Sequence, residues 1–105
     1  FGILIFELMA GFAPFRDECE LAMYSKVLTG IDKVSFPIHV QSDTKELVCD
    51  ILRQLPGERL PMKEGGMETM KAHEWFHGLS WDALASGAME PPYRPNVASE
   101  TDLQN

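Results

Sequence analysis

The first ten residues form an almost unbroken apolar run, FGILIFELMA, in which Glu7 carries the only charge. A run of this kind is buried on all sides, and its periodicity does not separate a core helix from a core strand. Its Leu, Met, Glu and Ala residues favour a helix, and Gly11 suits the position after a helix C-terminus. We therefore expect a buried helix over residues 1–10.

A second helix is predicted to begin near Asp17 and to end at Gly30. Asp17 and Glu20 have the spacing of a capping box, in which two side chains satisfy the free N–H groups of the first turn. A glycine such as Gly30 is a common stop signal. The apolar residues between these ends recur at helical spacing and form one stripe, namely Leu21, Tyr24, Val27 and Leu28.

A third helix is predicted over residues 43–54, after a stretch without helical pattern. Residues 31–41 look extended, with a turn held by Pro37. Asp43 and Glu46 again have capping-box spacing, which places the start of the third helix at Asp43.

A short fourth helix is predicted over residues 67–76, and beyond it the composition changes. Residues 86–105 are rich in Pro, Ser and Asn, and two of the prolines are adjacent. We expect this segment to be an extended tail that lies on another surface and is disordered at its end.

The net charge of −7 over 105 residues limits the classes of partner. An acidic chain repels phosphate backbones and anionic lipid surfaces, so we expect no nucleic-acid binding and no membrane insertion, and basic proteins or peptides fit better. Residues 1–15 are apolar but too short to cross a bilayer and lack the features of a signal peptide. Cys19 and Cys49 have no metal-ligand spacing, and we expect reduced thiols in a cytoplasmic protein.

Taken in chain order, the segments resemble the end of a protein Ser/Thr kinase catalytic domain. FGILIFELMAG resembles the second half of the buried central helix of the kinase C-lobe. FAPF resembles the Pro-Pro-Phe turn that follows, with Ala13 departing from its first proline. PGERL resembles the Arg motif before the final helix, and AHEWF resembles the closing Trp-Phe.

The residues that follow resemble the tail of the AGC kinase group, close to the cyclic-nucleotide-dependent kinases. The resemblance divides the chain into the C-terminal part of a catalytic domain, residues 1–76, and the start of an AGC-type tail, residues 77–105. The step Ile31-Asp32 looks more like the cGMP-dependent than the cAMP-dependent branch. The implied fold is mainly α: a partial C-lobe of about four helices, followed by an extended tail.

The resemblance also implies an activity for the parent enzyme, which would transfer the γ-phosphoryl group of ATP, with Mg²⁺, to Ser or Thr in basic-motif proteins. The Gly-rich loop, the catalytic-loop Asp motif and the metal-binding Asp motif that this chemistry needs do not occur in the sequence. We expect a fragment that binds neither ATP nor a metal and is inactive alone. Its partners would be the missing N-lobe and catalytic-loop segments. His73 and His77 are i, i+4, but the helix is predicted to end there, which disfavours a metal pair.

Glu7 is the candidate substrate-binding residue. From the residues alone it is either a partly exposed carboxylate or one paired with a structural cation, because burying it unpaired is costly. The resemblance favours a third role, since a Glu at this place in cyclic-nucleotide-dependent kinases accepts the guanidinium of a basic residue in the substrate.

Four further residues are predicted to be structural. Arg59 by itself suggests only a surface Arg; the resemblance implies that it pairs with a Glu of a missing segment and is unpaired in the fragment. Trp75, Phe76 and Trp81 are expected to be core and tail-docking anchors rather than a ligand site.

Two alternatives to the kinase-fragment interpretation stay open. A truncated kinase could have become a non-catalytic interaction module, and an exposed apolar patch would mark it. An unrelated small helical domain would require the order of the motifs to be chance.

Overall fold

The computed structural model describes residues 1–99, 101 and 102, and in this part of the chain the regular elements are all helical. The expectation of a mainly α fold is confirmed. Five α-helices follow one another, and 3₁₀ turns occupy Ile31–Lys33, Pro56–Glu58, Leu60–Met62 and Glu74–Phe76. The α-helices are α1 (Gly2–Ala10), α2 (Glu20–Thr29), α3 (Asp43–Ile51), α4 (Gly66–Lys71) and α5 (Trp81–Ala85).

The core forms where α1 packs against α3. Helix α1 contributes Ile5 and Phe6, and helix α3 contributes Leu47, Val48 and Ile51, all of them buried. Full burial of one such side chain stabilises the fold by roughly 1.5–3 kcal/mol. The remaining buried apolar residues come from the connecting turns and the C-terminal elements; they are Ile31, Val40, Leu60, Met70 and Phe76.

Gly2, at the start of α1, faces Ile51 and Leu52 at the end of α3. A Cβ at this position would lie 2.9 Å from Cγ of Leu52, which is closer than side chains pack. The lack of a side chain at Gly2 therefore allows this close approach of α1 to the end of α3.

The expected burial of α1 on all sides is wrong for this structure. Only Gly2, Ile5 and Phe6 of the helix are buried, whereas Leu8 is 75% exposed. The described residues cover one face of the helix, because α3 and the rings of Phe12 and Phe36 pack on the same side. The outer face leaves five apolar side chains exposed, those of Phe1, Ile3, Leu4, Leu8 and Met9.

Helix α2 begins at Glu20, three residues later than predicted. Asp17 does not cap the helix; its carboxylate accepts the N–H of Cys19 at 3.0 Å and pairs with Lys26 at 2.9 Å. The capping box is therefore wrong, because Asp17 closes the turn before the helix. No residue of α2 is buried, and its apolar stripe faces outward with Leu21 78% exposed.

The segment between α2 and α3 is less extended than predicted. It opens with the 3₁₀ turn Ile31–Lys33, which buries Ile31. The predicted turn at Pro37 is present, since its carbonyl accepts the N–H of Val40 at 2.8 Å.

Helix α3 is shorter than the predicted 43–54 and ends at Ile51. Asp43 is its first helical residue rather than its cap, and the residue before it, Ser42, has a φ of 53° and makes no side-chain cap bond. The predicted capping box at Asp43 is wrong for that reason.

The predicted fourth helix is divided into α4 and the 3₁₀ turn Glu74–Phe76. His73 breaks it, because its Nδ1 accepts the N–H of Trp75 at 3.1 Å and caps the 3₁₀ turn. Helix α5 was not predicted. Its cap is Ser80, whose hydroxyl accepts the N–H of Ala83 at 3.3 Å.

Residues 86–99 contain no helix or strand, as expected for an extended tail. The last part of the predicted tail, residue 100 and residues 103–105, lies outside the described residues. Within the described part of the chain, no helix has both the length and the apolar character that crossing a bilayer requires.

Candidate functional site

Glu7 lies on the exposed face of α1, close to the end of the helix. Its backbone carbonyl accepts the N–H of Gly11 at 2.8 Å, and Gly11 adopts the left-handed conformation (φ 81°) that ends the helix. Among the described residues, no cation lies within ion-pair distance of the Glu7 carboxylate. The carboxylate is therefore accessible to a cationic group from outside, which an Arg side chain could bind with two hydrogen bonds.

The end of α1 that carries Glu7 is held by three contacts. The rings of Phe6 and Phe12 meet edge to face with their centroids 5.7 Å apart. His39 lies with its Nε2 3.2 Å from the carbonyl oxygen of Met9, one of the last acceptors of the helix. Together with the Gly11 cap, these contacts fix the direction of the last turn of α1.

Arg59 is exposed and makes its side-chain bond to the backbone. Its Nε donates to the carbonyl of Arg53 at 3.1 Å, and no carboxylate among the described residues pairs with it. The ionic contacts in this region belong to Arg53, which lies 2.8 Å from Asp50 and 4.0 Å from Asp32. The hydrogen bond to Asp50 raises the pKa of the Arg53 guanidinium.

Trp75, Phe76 and Trp81 form one aromatic cluster. Phe76 is buried, and its ring centroid lies 4.8 Å from that of Trp75 and 4.9 Å from that of Trp81. Both indole N–H groups are satisfied: Trp75 donates to the hydroxyl of Thr44 at 3.0 Å and Trp81 to the carbonyl of Lys71 at 3.2 Å. The cluster thus joins α3, α4 and α5, which is the arrangement expected of packing anchors.

Metal-ligating side chains are scattered among the described residues. In that part of the chain, no group of three or more His, Cys, Asp or Glu side chains could hold an ion. Cys19 is exposed and Cys49 is half-buried, and both are free thiols. Burial raises the pKa of the Cys49 thiol, with the nearby Asp32 carboxylate as a second cause.

Several residues that define the geometry of this region carried no signal in the sequence. Thr44 and His39 are isolated polar residues whose partners, Trp75 and the end of α1, are 31 and 30 positions away. Lys26 belongs to an otherwise ordinary helix, and only the fold shows that it binds Asp17 and the carbonyl of Arg16. Such long-range pairs are set by the fold and have no local pattern.

Comparison with known proteins shows relatives along nearly the whole chain. It is 39% identical over 103 residues to the cGMP-dependent protein kinase, isozyme 1, of Drosophila melanogaster. It is 36% identical over 104 residues to the human cAMP-dependent protein kinase catalytic subunit PRKX and 35% identical over 105 residues to the cGMP-dependent protein kinase egl-4 of Caenorhabditis elegans. No protein-family profile matches the chain.

The matches cover 98–99% of this chain but only a small part of the relatives. The chain spans 13% of the Drosophila protein, 28% of the human protein and 14% of the Caenorhabditis protein. The order of segments that resembled a kinase C-lobe is thus matched by sequence identity to both cyclic-nucleotide-dependent branches. Over nearly its whole length, this chain is therefore similar to one segment of the cGMP- and cAMP-dependent protein kinases, which is consistent with a fragment of an AGC-group kinase.

Proposed function

We propose that the natural polypeptide containing this chain is a protein serine/threonine kinase of the cyclic-nucleotide-dependent type. It would transfer the γ-phosphoryl group of ATP, held with Mg²⁺, to Ser or Thr in cytoplasmic proteins that carry basic residues near the target. The observation that carries the proposal is the similarity to such kinases over 98–99% of the chain. The free thiols of Cys19 and Cys49 support a cytoplasmic location.

Within that enzyme, this segment would supply C-lobe scaffold and part of substrate recognition rather than catalysis. The α1–α3 core and the aromatic cluster around Phe76 are the scaffold. Glu7 is the recognition residue, because its accessible carboxylate stands on an anchored helix end and lacks an ion-pair partner among the described residues. Residues 1–76 would belong to the catalytic domain and residues 77–105 to the tail, and Arg59 would keep a structural role.

A peptide series tests the role of Glu7 in the complete polypeptide. Each basic residue of a basic substrate peptide is replaced in turn by citrulline, which keeps the shape of Arg but not its charge. The unmodified enzyme should lose about tenfold to hundredfold in kcat/KM at the position that contacts Glu7, since a charge-assisted pair is broken. Glu7→Gln should become insensitive at that position alone, and Glu64→Gln, an exposed control, should behave like the unmodified enzyme.

Two results would count against this proposal. Absence of phosphate transfer from labelled ATP to any basic peptide would overturn the kinase assignment. Equal sensitivity of Glu7→Gln and the unmodified enzyme at every position would remove Glu7 from substrate recognition while leaving the kinase assignment intact.

A second candidate function, a non-catalytic interaction module, is favoured by one observation. Apolar side chains of both α1 and α2 are exposed among the described residues, as Leu8 and Leu21 show. A 105-residue chain that is monomeric and unfolds cooperatively would support such a module, whereas aggregation would support a part of a larger domain.

A further inference from the structure

A cleft of about 310 Å³ lies between the segment after α1 and the C-terminal half of α2. Its lining residues come from three segments: four residues between Phe12 and Arg16, then Ser25, Lys26 and Thr29 of α2, and four residues between Gly30 and Ser35. Glu7 does not line it, whereas two of its lining residues, Phe12 and Val34, also pack against the core.

The charge of this cleft is opposite to that of the chain. Three of its lining residues, Arg16, Lys26 and Lys33, are cationic, and no acidic residue lines it, although the whole chain carries a net charge of −7. The sequence has nine Lys and Arg residues in all, so a third of them meet at one cavity. An acidic protein thus concentrates positive potential in one concave place, where the field is focused.

The neighbouring ion pairs leave two of the three cations without a counter-ion. Lys26 is neutralised, because its Nζ lies 2.9 Å from the Asp17 carboxylate and 2.8 Å from the carbonyl oxygen of Arg16. The acidic neighbour of Lys33 in sequence, Asp32, is directed to Arg53 at 4.0 Å. Arg16 and Lys33 make no ion pair among the described residues.

Arg16 contacts an aromatic ring on the wall of the cleft. Its guanidinium carbon lies over the Phe12 ring, 4.2 Å from the centroid, which is within the distance of a cation–π contact. The N–H groups at the edge of a stacked guanidinium remain free to bind oxygen atoms. Arg16 is thus held in place as a donor on one wall of the cleft.

The rest of the lining adds weaker donors and an apolar surface. The hydroxyls of Ser25 and Ser35 border the cleft, and the apolar residues Pro14 and Val34 lie beside them. Two unneutralised cations match the charge of a phosphoryl group, which carries about −1.5 to −2 at pH 7 and three acceptor oxygens. The apolar part and the volume leave room for the residues that flank such a group in a polypeptide.

We propose that this cleft binds a phosphorylated serine or threonine side chain of another polypeptide, with Arg16 and Lys33 as the charged donors. This site does not include Glu7, whose carboxylate would bind a cation, whereas the cleft would bind an anion. Binding through it would give the protein a second, phosphorylation-dependent contact with partners.

The test uses the complete natural polypeptide and the capped, fluorescent peptide Ala-Leu-phosphoserine-Leu-Ala. Fluorescence anisotropy should show binding at low ionic strength that weakens with added salt. Lys33→Gln and Arg16→Gln should each weaken it about tenfold, because each removes a charge-assisted contact. Lys63→Gln is the matched control, since Lys63 is exposed and does not line the cleft, and it should bind like the unmodified protein.

Three outcomes would overturn the proposal. The first is unchanged binding in Lys33→Gln, which is informative even if Arg16→Gln disturbs the stacking on Phe12, because no described side chain pairs with Lys33. The second is equal binding of the same peptide with unmodified serine. The third is displacement of the peptide by inorganic phosphate at a concentration equal to the Kd of the peptide, which would mean that the cleft holds a free anion only.

Discussion

The indole N–H of Trp75 donates to the hydroxyl of Thr44 at 3.0 Å, across 31 positions of sequence. Thr44 is the buried polar residue in the first turn of α3, and Trp75 belongs to the 3₁₀ turn that follows α4. This bond ties the helix that packs on α1 to the C-terminal aromatic cluster. No buried side-chain polar atom is left without a partner in the described residues, so the bond belongs to a fully satisfied interior.

Thr44→Val should destabilise the protein by about 1–2 kcal/mol, because it keeps the side-chain shape but leaves the Trp75 N–H without its acceptor. Chemical denaturation of Thr44→Val, Trp75→Phe and the double variant measures the coupling between the two residues. Thr101→Val, at an exposed position, is the control and should be neutral. Additive losses in the two single variants would show that the hydrogen bond contributes nothing.

Gly2→Ala should destabilise the protein by about 1 kcal/mol or more, because the new methyl group would press on Leu52 in the α1–α3 contact. The sign of the change in the free energy of unfolding is informative, since Gly→Ala in an exposed helix stabilises by up to about 1 kcal/mol. Gly57→Ala is the matched control: its Cβ would meet nothing within 4 Å, and its φ is not in the left-handed region. A rise in Tm for Gly2→Ala would mean that the two helices separate at no cost.

The Asp17 carboxyl should titrate below its ordinary value of 3.8, because the hydrogen bond from Lys26, followed by that from the Cys19 N–H, lowers its pKa. A group with a lowered folded pKa contributes stability above its unfolded pKa and loses it as the pH falls through the folded value. The Asp17–Lys26 ion pair should therefore persist at neutral pH and break only below about pH 4.

An NMR titration of the Asp17 side-chain carbon measures this directly. Lys26→Met should return the midpoint towards 3.8, since it removes the largest cause of the shift. Lys45→Met serves as the control because Lys45 contacts the ring of Phe36 and not Asp17. An unchanged midpoint in Lys26→Met would contradict the ion pair.

Cys49 should react with a thiol reagent about ten times more slowly than Cys19 in the folded protein, because its raised pKa leaves less thiolate and its side chain is half-buried. Alkylation at pH 8 followed by mass spectrometry gives the two rates separately. In denaturant the rates should converge. Equal rates in the native protein would show that the Cys49 thiol is as accessible and as reactive as the Cys19 thiol.

The elements with a strong apolar pattern were the ones that the sequence predicted well. Helix α1 was predicted from its apolar run and its helix-favouring residues, and it matches its prediction to within one residue; α3 was predicted to begin at Asp43, where it does begin. The burial of α1 was not predictable, since it depends on which neighbours cover the helix, and the described residues cover one face. Helix α5 was missed although Ser80 preceded it with a capping hydroxyl.

Local sequence patterns determine neither where the helices end nor which residues line the cleft. The Asp17 carboxylate could have capped the first turn of α2 or paired with Lys26, and in the fold it pairs with Lys26. Arg16 and Lys33 lie on opposite sides of α2 in the sequence. They line the same cleft because the chain turns at both ends of that helix. The exposure of Glu7 was one of the possibilities weighed from sequence, and its role in recognition stays a prediction.

The contact between Trp81 and Phe76 links the segments on either side of Gly78. A protease that cut at the exposed Gly78 would separate the two rings and uncover the buried side of Phe76. Residues up to the end of α5 therefore form one packing unit with the aromatic cluster, and an exchange of C-terminal segments between related proteins should succeed only at a junction beyond α5.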